Sequence, residues 1–321
     1  MLGENKRKYI ELCDNEESIP LFSKYWWLDA VCGENNWDVI LSEKGDTIIG
    51  SLPYYKKKVK KKFNILTLPH QTQTLGPWIR NSKDASKKSS KISNEIKVME
   101  DLIQKLPQFD YFIQHFHYSI TNWLPFYWAG FQCTTKYTYV IPDISDSDKV
   151  LASFSYDKRK SIKDAKGKIS VKLDEDYKEF YQFHKKCLKQ LGQEISYSEE
   201  LFYSIYKASK ERNMGCIMSA YDEEGNKHTS LFLIWDRNSA YHLISAINPE
   251  FRQSNSFSCL VFESIKFLGD KTKSYDFEGS MIKNVESAFR LYGTEQKAYF
   301  EVSKTNSSLL KLFLFLSGRN V

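Results

Sequence analysis

The sequence predicts an α/β protein of the α+β kind, built from two similar lobes. Each lobe is a mixed, largely antiparallel sheet flanked by helices. Three observations carry this. The chain has 321 residues, which suits two hydrophobic cores better than one. In the second half, helical segments lead into three turn-linked strands, then a helix and single strands; the first half follows this order less clearly. A polar segment at residues 142–149 separates the halves and places the lobes at residues 1–145 and 146–321.

The elements follow in order. Pro20 suits a helix start and Gly33 a stop, so residues 20–33 read as a helix. Residues 37–41 and 47–55 read as a hairpin around the Glu43-Lys44-Gly45-Asp46 turn. Residues 64–68 and 72–79 look extended, 81–93 is a polar Lys/Ser loop, 92–106 has helical periodicity, and 109–116 is strand-like, with a second aromatic segment running to Val140. In the second half, residues 150–166, 176–191 and 199–213 read as helices. Residues 217–221, 227–235 and 240–246 read as three antiparallel strands. A helix at 256–268, a strand at 274–277, a short helix at 285–291 and a strand at 297–302 complete the order. This is not a βαβ repeat, because the meander precedes a single helical crossover.

Composition narrows the function. Hydrophobic residues at 41% can bury a sizeable core, and 15% aromatics favour strands and aromatic-lined grooves. The net charge of +6 is mild but clustered, which points to anionic partners such as phosphates, a lipid pyrophosphate or nucleic acid. The six cysteines form no CxxC and none stands with His at zinc-site spacing, so the expectation is reduced, buried thiols of a cytoplasmic protein without a metal site. The polar start leads to the expectation of no signal peptide, and no apolar run reaches the length of a membrane span. The nearest, Leu309 to Leu316 with Lys311 inside it, reads as a short helix packed on the body. His115 and His117 alternate on one strand and read as satisfied strand histidines. No GxSxG, HExxH or P-loop is present.

Three segments carry a family resemblance. The first comprises Tyr25-Trp26-Trp27-Leu28-Asp29-Ala30, Ser51-Leu52-Pro53-Tyr54 and Thr72-Gln73-Thr74-Leu75-Gly76-Pro77. The second is the basic run Phe154 to Ala165. The third is Tyr275-Asp276-Phe277-Glu278-Gly279-Ser280 with Phe289-Arg290-Leu291-Tyr292-Gly293. Together they resemble the FemAB family of peptidoglycan-bridge enzymes, polysaccharide-locus type, whose lobes are of the GNAT acyltransferase kind. The resemblance implies an acyl- or aminoacyl-transferase of cell-wall or polysaccharide biosynthesis. It forms an amide on an amine of a nucleotide- or lipid-linked sugar or peptide acceptor, with acyl-CoA or aminoacyl-tRNA as co-substrate and no tightly bound cofactor. The long helical arm of some bridge enzymes is missing, which weakens the case for aminoacyl-tRNA. Two alternatives stand beside this reading: a coenzyme A-dependent N-acyltransferase acting on an amino sugar, and a non-catalytic precursor-binding protein.

Candidate residues follow. Asp276 and Glu278 share one strand face, where two acids can position an amine or accept its proton. By themselves they read as a turn cap and a solvated acid; the resemblance implies a catalytic pair, with Gly279 letting substrate approach the backbone. Arg252, Ser254, Asn255 and Ser256 lie between a strand and a helix, where the resemblance implies a pyrophosphate cradle. The usual glycines are absent, and Asn255 tolerates left-handed geometry; the other reading is an ordinary capped helix start. Lys158 and Arg159 begin a basic segment that is either a solvated helix face or, by resemblance, a phosphate contact to the acceptor. The lysines at 56–58 and 60–62 form the densest charge run, read as an exposed loop guarding a sheet edge. Contact with an anionic membrane surface is its functional alternative.

Overall fold

The computed structural model describes residues 3–80, 87–279 and 281–316. The expected loop at 81–93 therefore falls partly, and Ser280 wholly, outside the described residues. The chain forms two compact units, one of residues up to Lys136 together with those from Ala298 onward, the other Tyr137–Lys297.

The first unit opens with helices α1 (Glu4–Asn15) and α2 (Tyr25–Cys32), then strands β1 (Trp37–Lys44), β2 (Thr47–Val59), β3 (Phe63–Thr67) and β4 (Trp78–Ile79). Helix α3 (Lys88–Gln104), strand β5 (Tyr111–His115) and the short α4 (Leu124–Trp128) follow. Strand β6 (Gln132–Ile141) carries the chain into the second unit, through α5 (Ser147–Ser153), α6 (Tyr156–Ala165), β7 (Ser170–Asp174), α7 (Tyr177–Gln190) and α8 (Glu199–Lys210). Strands β8 (Gly215–Tyr221), β9 (Lys227–Trp235) and β10 (Ser239–Ile247), helix α9 (Ser256–Leu268), strand β11 (Ser274–Asp276) and α10 (Lys283–Phe289) complete it. Strand β12 (Glu295–Thr305) returns the chain to the first unit, where α11 (Ser308–Leu316) follows.

The two units share a pairing scheme. In the first, β1, β2 and β3 run antiparallel, and β3 lies parallel to β5 after the α3 crossover. In the second, β7, β8, β9 and β10 run antiparallel, and β10 lies parallel to β11 after the α9 crossover. The last partner is exchanged. β5 pairs antiparallel with β12, and β11 pairs antiparallel with β6. Each unit is thus completed by a strand that follows the other unit's crossover in chain order.

Burial explains the elements. The core of the first unit sets Phe112, Phe116, Phe126 and Phe131 against Val98, Met99 and Leu102 of α3. In the second, β9 is buried along nearly its whole length, as a strand covered on both faces must be. Leu260, Val261 and Ile265 of α9 cover one side, and Phe180 of α7 and Phe202 of α8 meet Phe232 of β9 on the other. Helix α8 combines a Ser198 cap, acids in its first turn and lysines in its last, which matches the helix dipole.

Several expectations are corrected. Residues 150–166 form two helices because the Ser155 hydroxyl caps a new start at the Lys158 N–H. Strand β7 extends the meander to four strands; its burial does not alternate, since apolar Leu173 is exposed while Asp174 is covered by Lys227, Ser219 and Tyr221. Helix α3 begins at Lys88, inside the expected loop. Only Trp78 and Ile79 of residues 72–79 form a strand. Lys56, Lys57 and Lys58 are ladder residues opposite Leu66, Ile65 and Asn64, and not loop. Helix α11 buries Leu310 but leaves Leu309, Leu312, Phe313 and Leu316 exposed, so it is not packed down as an apolar run suggests.

These burial differences predict unequal costs. Phe112→Ala, at 0% exposure, should destabilise by about 3–5 kcal/mol. Leu312→Ala should change stability by less than about 0.5 kcal/mol. Urea unfolding followed by tryptophan fluorescence checks both.

Candidate active site

The candidate site belongs to the second unit and begins where two parallel strands part. β10 and β11 pair only at Ser239 with Ser274, Ala240 with Tyr275 and Tyr241 with Asp276. β10 then continues to Ile247 beside β9, with a register irregularity between His242 and Ile244, while β11 ends. His242 sits just past this point, 4% exposed, its ring beside Phe257, Phe277 and Phe289. Its Nδ1 lies 3.0 Å from the Tyr275 hydroxyl, and Nε2 has no hydrogen-bond partner among the described residues. Burial lowers its pKa to about 3, so the ring is neutral.

The segment after β11 is a locked turn. Asp276 is fully buried, and its Oδ1 accepts from the Thr138 hydroxyl at 2.5 Å and from the Glu278 N–H at 2.7 Å. The second bond folds the chain back over two residues and holds Glu278 at φ 58 and Gly279 at φ 46. A Cβ on Gly279 would stand 2.2 Å from the Tyr137 carbonyl oxygen, so this position admits glycine alone. Asp276 thus caps the turn, as its residue type suggests. Glu278 is not a solvated acid: the residue is half-buried, but its carboxyl is enclosed and Oε1 has no hydrogen-bond partner among the described residues. Burial first, and the Asp276 charge second, raise its pKa well above the usual carboxylate range. A strained backbone carrying an enclosed carboxyl of raised pKa is an arrangement more typical of chemistry than of packing.

Tyr292 ties the remaining candidates to this turn. Its ring stacks on Phe277 at 5.2 Å and its hydroxyl lies 3.2 Å from that of Ser258 in the first turn of α9. The Lys158 ammonium stands 4.6 Å above the same ring, with its pKa lowered by burial. Arg159 turns elsewhere. Its Nη1 donates to the carbonyls of Ala152, at 3.1 Å, and Phe154, closing the end of α5. It also lines a cavity of about 430 Å³ with Lys163, Lys166 and Lys266. The structure therefore brings Lys158, but not Arg159, to the aromatic cluster beside Asp276 and Glu278.

The loop from β10 to α9 holds the other candidates. Asn255 adopts the left-handed conformation at φ 62, directly before the first residue of α9. The Ser254 hydroxyl lies 2.9 Å from that of buried Ser256 and accepts from the Ser256 N–H at 3.4 Å. Arg252 is exposed and borders a cavity of about 160 Å³ with Ser245, Ala246 and Ile247 of β10. An anion at this helix start would meet the α9 dipole. One backbone donor there, the Ser256 N–H, is already taken by a hydroxyl.

Sequence reading missed Thr138 and His242, and held Tyr292 only as one member of the Phe289–Gly293 segment. The Tyr292 contact to Ser258 spans 34 residues, and Thr138 carries no local signal, since its partner lies 138 residues away. His242 had one: a lone ring nitrogen pair inside an apolar strand. Of the two expected strand histidines only His115 lies on β5, which ends there; it lies 2.9 Å from Glu301, while His117 follows the strand and lies 2.8 Å from the Ser119 hydroxyl.

No protein-family model and no curated protein matches the chain in sequence. In structure, the chain is similar to FemX, at TM-score 0.66 and 13% identity over 94% of this chain and 96% of that one. It is also similar to L-PGS from Bacillus licheniformis, at 0.55 and 12% over 98% of each chain. A tandem GNAT protein from the clavulanic acid biosynthesis pathway matches at 0.50 and 7%, over 85% and 84%. The chain therefore has a FemX-like, tandem-GNAT fold, the fold of aminoacyl- and acyl-transferases.

The turn makes its own prediction. Thr138→Val removes one charge-assisted bond to buried Asp276 and should cost about 1.5–3 kcal/mol. Thr138→Ser, which keeps the hydroxyl, should recover most of that loss in thermal unfolding.

Proposed function

We propose that the protein transfers an acyl or aminoacyl group to an amine of a cell-envelope or polysaccharide precursor, with Glu278 taking the amine's proton. The observation that carries this reading is the enclosed Glu278 carboxyl, held by the Asp276-locked turn where β10 and β11 part. The likeness to FemX, L-PGS and the tandem GNAT protein supports it at the level of fold.

The chemistry is direct attack. An ammonium group cannot attack a carbonyl, so it must first give up a proton. A carboxylate with a raised pKa is a stronger base than an exposed one and suits that task. The amine nitrogen then bonds to the acyl carbon, and the C–S bond of a thioester or the C–O bond of an aminoacyl ester breaks. As the amide forms the nitrogen loses its second proton to solvent, and the proton held by Glu278 passes to the departing sulfur or oxygen, so no covalent enzyme intermediate forms. Asp276 positions Glu278 through the backbone, and Gly279 keeps that wall low. Lys158 attracts the anionic part of a nucleotide- or lipid-linked acceptor, with Arg159 at the far side of α6. The Arg252–Asn255 loop and Ser256 receive the phosphates of an acyl-CoA or aminoacyl-tRNA donor. One observation favours a second reading, a non-catalytic precursor binder: the glycine-free loop whose Ser254 hydroxyl occupies the Ser256 N–H.

Glu278→Gln should lower kcat by about a hundredfold to ten-thousandfold and leave acceptor binding intact. Unchanged kcat removes Glu278 from the chemistry. Stability gives an independent readout. A carboxyl whose native pKa is raised favours folding below its unfolded value, about 4.3, and loses that contribution as pH rises through the native value. Glu278→Gln should therefore gain on the wild type in melting temperature between pH 5 and pH 8.

Lys158→Ala should raise the acceptor's KM by roughly tenfold and leave the donor's unchanged. Arg159→Ala should chiefly lower thermal stability, because it frees the end of α5. Stabilisation by acetyl-CoA or by aminoacyl-tRNA in thermal melts identifies the donor; stabilisation by neither, with acceptor binding retained, supports the binder.

A further inference from the structure

Two features of the first unit remain outside the proposed reaction. They are the lysine-rich β2–β3 hairpin and the exposed face of α11. They meet: the Lys60 ammonium stands 3.8 Å above the Phe313 ring, and Leu310 of α11 packs on Phe63 and Ile65 of β3.

The helix face is unusual. Leu309, Leu312, Phe313 and Leu316 follow the i, i+3, i+4, i+7 spacing of one helical stripe, which in an ordinary surface helix turns inward. Here that stripe is the exposed one, at 52%, 54%, 45% and 75%. Contiguous exposed apolar surface marks an interaction site.

The hairpin tip is also unusual. The Lys62 N–H bonds the Val59 carbonyl at 3.1 Å, and Lys60 and Lys61 have φ 52 and 56. Two consecutive left-handed residues define the type I′ turn, for which Asn-Gly is the favoured pair. Lysine at both positions is strained by its Cβ, so a simple turn is not what this sequence optimises. Of the charges, Lys60 faces the Phe313 ring and Lys62 the Phe63 ring. Lys56 pairs with Asp38, but among the described residues no ion pair involves Lys57, Lys58, Lys60, Lys61 or Lys62. These five are held at one exposed end beside an apolar stripe.

We infer that this face docks the protein on an anionic lipid bilayer, the α11 stripe entering the interface and the hairpin lysines meeting the headgroups. Either signal alone binds weakly. An apolar stripe combined with a polybasic patch is the pairing that gives stable peripheral attachment. A purely polyanionic partner such as RNA would use the lysines but give the exposed leucines nothing to cover them.

The test uses the whole chain and co-sedimentation with vesicles. Binding should be strong to phosphatidylcholine vesicles carrying roughly one-third phosphatidylserine, weak to phosphatidylcholine alone, and reduced by salt. The double variant Lys60→Asn with Lys61→Gly suits the turn better, so its melting temperature should equal or exceed the wild type's. Its affinity for the anionic vesicles should nevertheless fall by about tenfold or more. Leu312→Ser with Leu316→Ser should also weaken vesicle binding without unfolding the protein. Absence of binding to the anionic vesicles overturns the inference. So does binding that ignores the serine changes and is competed by RNA, which makes the patch a polyanion site. Concentration-dependent dimerisation abolished by the serine changes, without vesicle binding, makes it a contact between copies and likewise overturns it.

Discussion

The second unit turns on one buried carboxylate. Asp276 has left water completely, and a charge in that position is tolerated only when strong donors replace its hydration. The Thr138 hydroxyl and the Glu278 N–H supply them. The first fixes the end of β11 to β6, and the second forces the chain into a left-handed step. Gly279 then passes the Tyr137 carbonyl too closely for any side chain. The Glu278 N–H bond to this carboxylate spans the turn in which Glu278 and Gly279 stand at positive φ.

The turn also decides what faces what. Phe277 is sent inward, into contact with His242, Phe289 and Tyr292. Tyr292 in turn holds Lys158 over its ring and Ser258 at its hydroxyl. Gly293 continues the chain at φ 67, where a Cβ would stand 2.1 Å from the Ser153 hydroxyl oxygen, so α5 and this segment close on each other. The result is a low-polarity wall in which His242 stays neutral and the Glu278 pKa is raised. In such surroundings each remaining charge acts over a longer range than it would in water.

Stability and use pull apart at two places. Glu278 is a non-glycine residue in a left-handed conformation with a carboxyl oxygen lacking a partner among the described residues. The Lys60-Lys61 tip puts two charged side chains where asparagine and glycine would fit better. Both lie in otherwise regular frameworks, an α9 crossover in one unit and a long β-hairpin in the other. A framework that over-determines the fold can carry such local conflict.

The sequence by itself determined the two-lobe α+β architecture, the meander before the helical crossover, and the Asp276–Gly279 and Phe289–Gly293 segments as places of interest. These rest on local periodicity, turn residues and caps, which act over a few residues. It also suggested the left-handed Asn255, because the intrinsic tolerance of asparagine is local too. Tertiary structure alone decided the exchange of β6 and β12 between the units, since strand partners are chosen by pairing and not by chain order. It alone separated Lys158 from Arg159, neighbours in sequence that leave α6 in different directions. It buried Glu278, whose residue type suggests solvent, and exposed the α11 stripe, whose residue types suggest a core. For Glu278 and the α11 stripe the deciding quantity was burial, which depends on what the rest of the chain brings alongside.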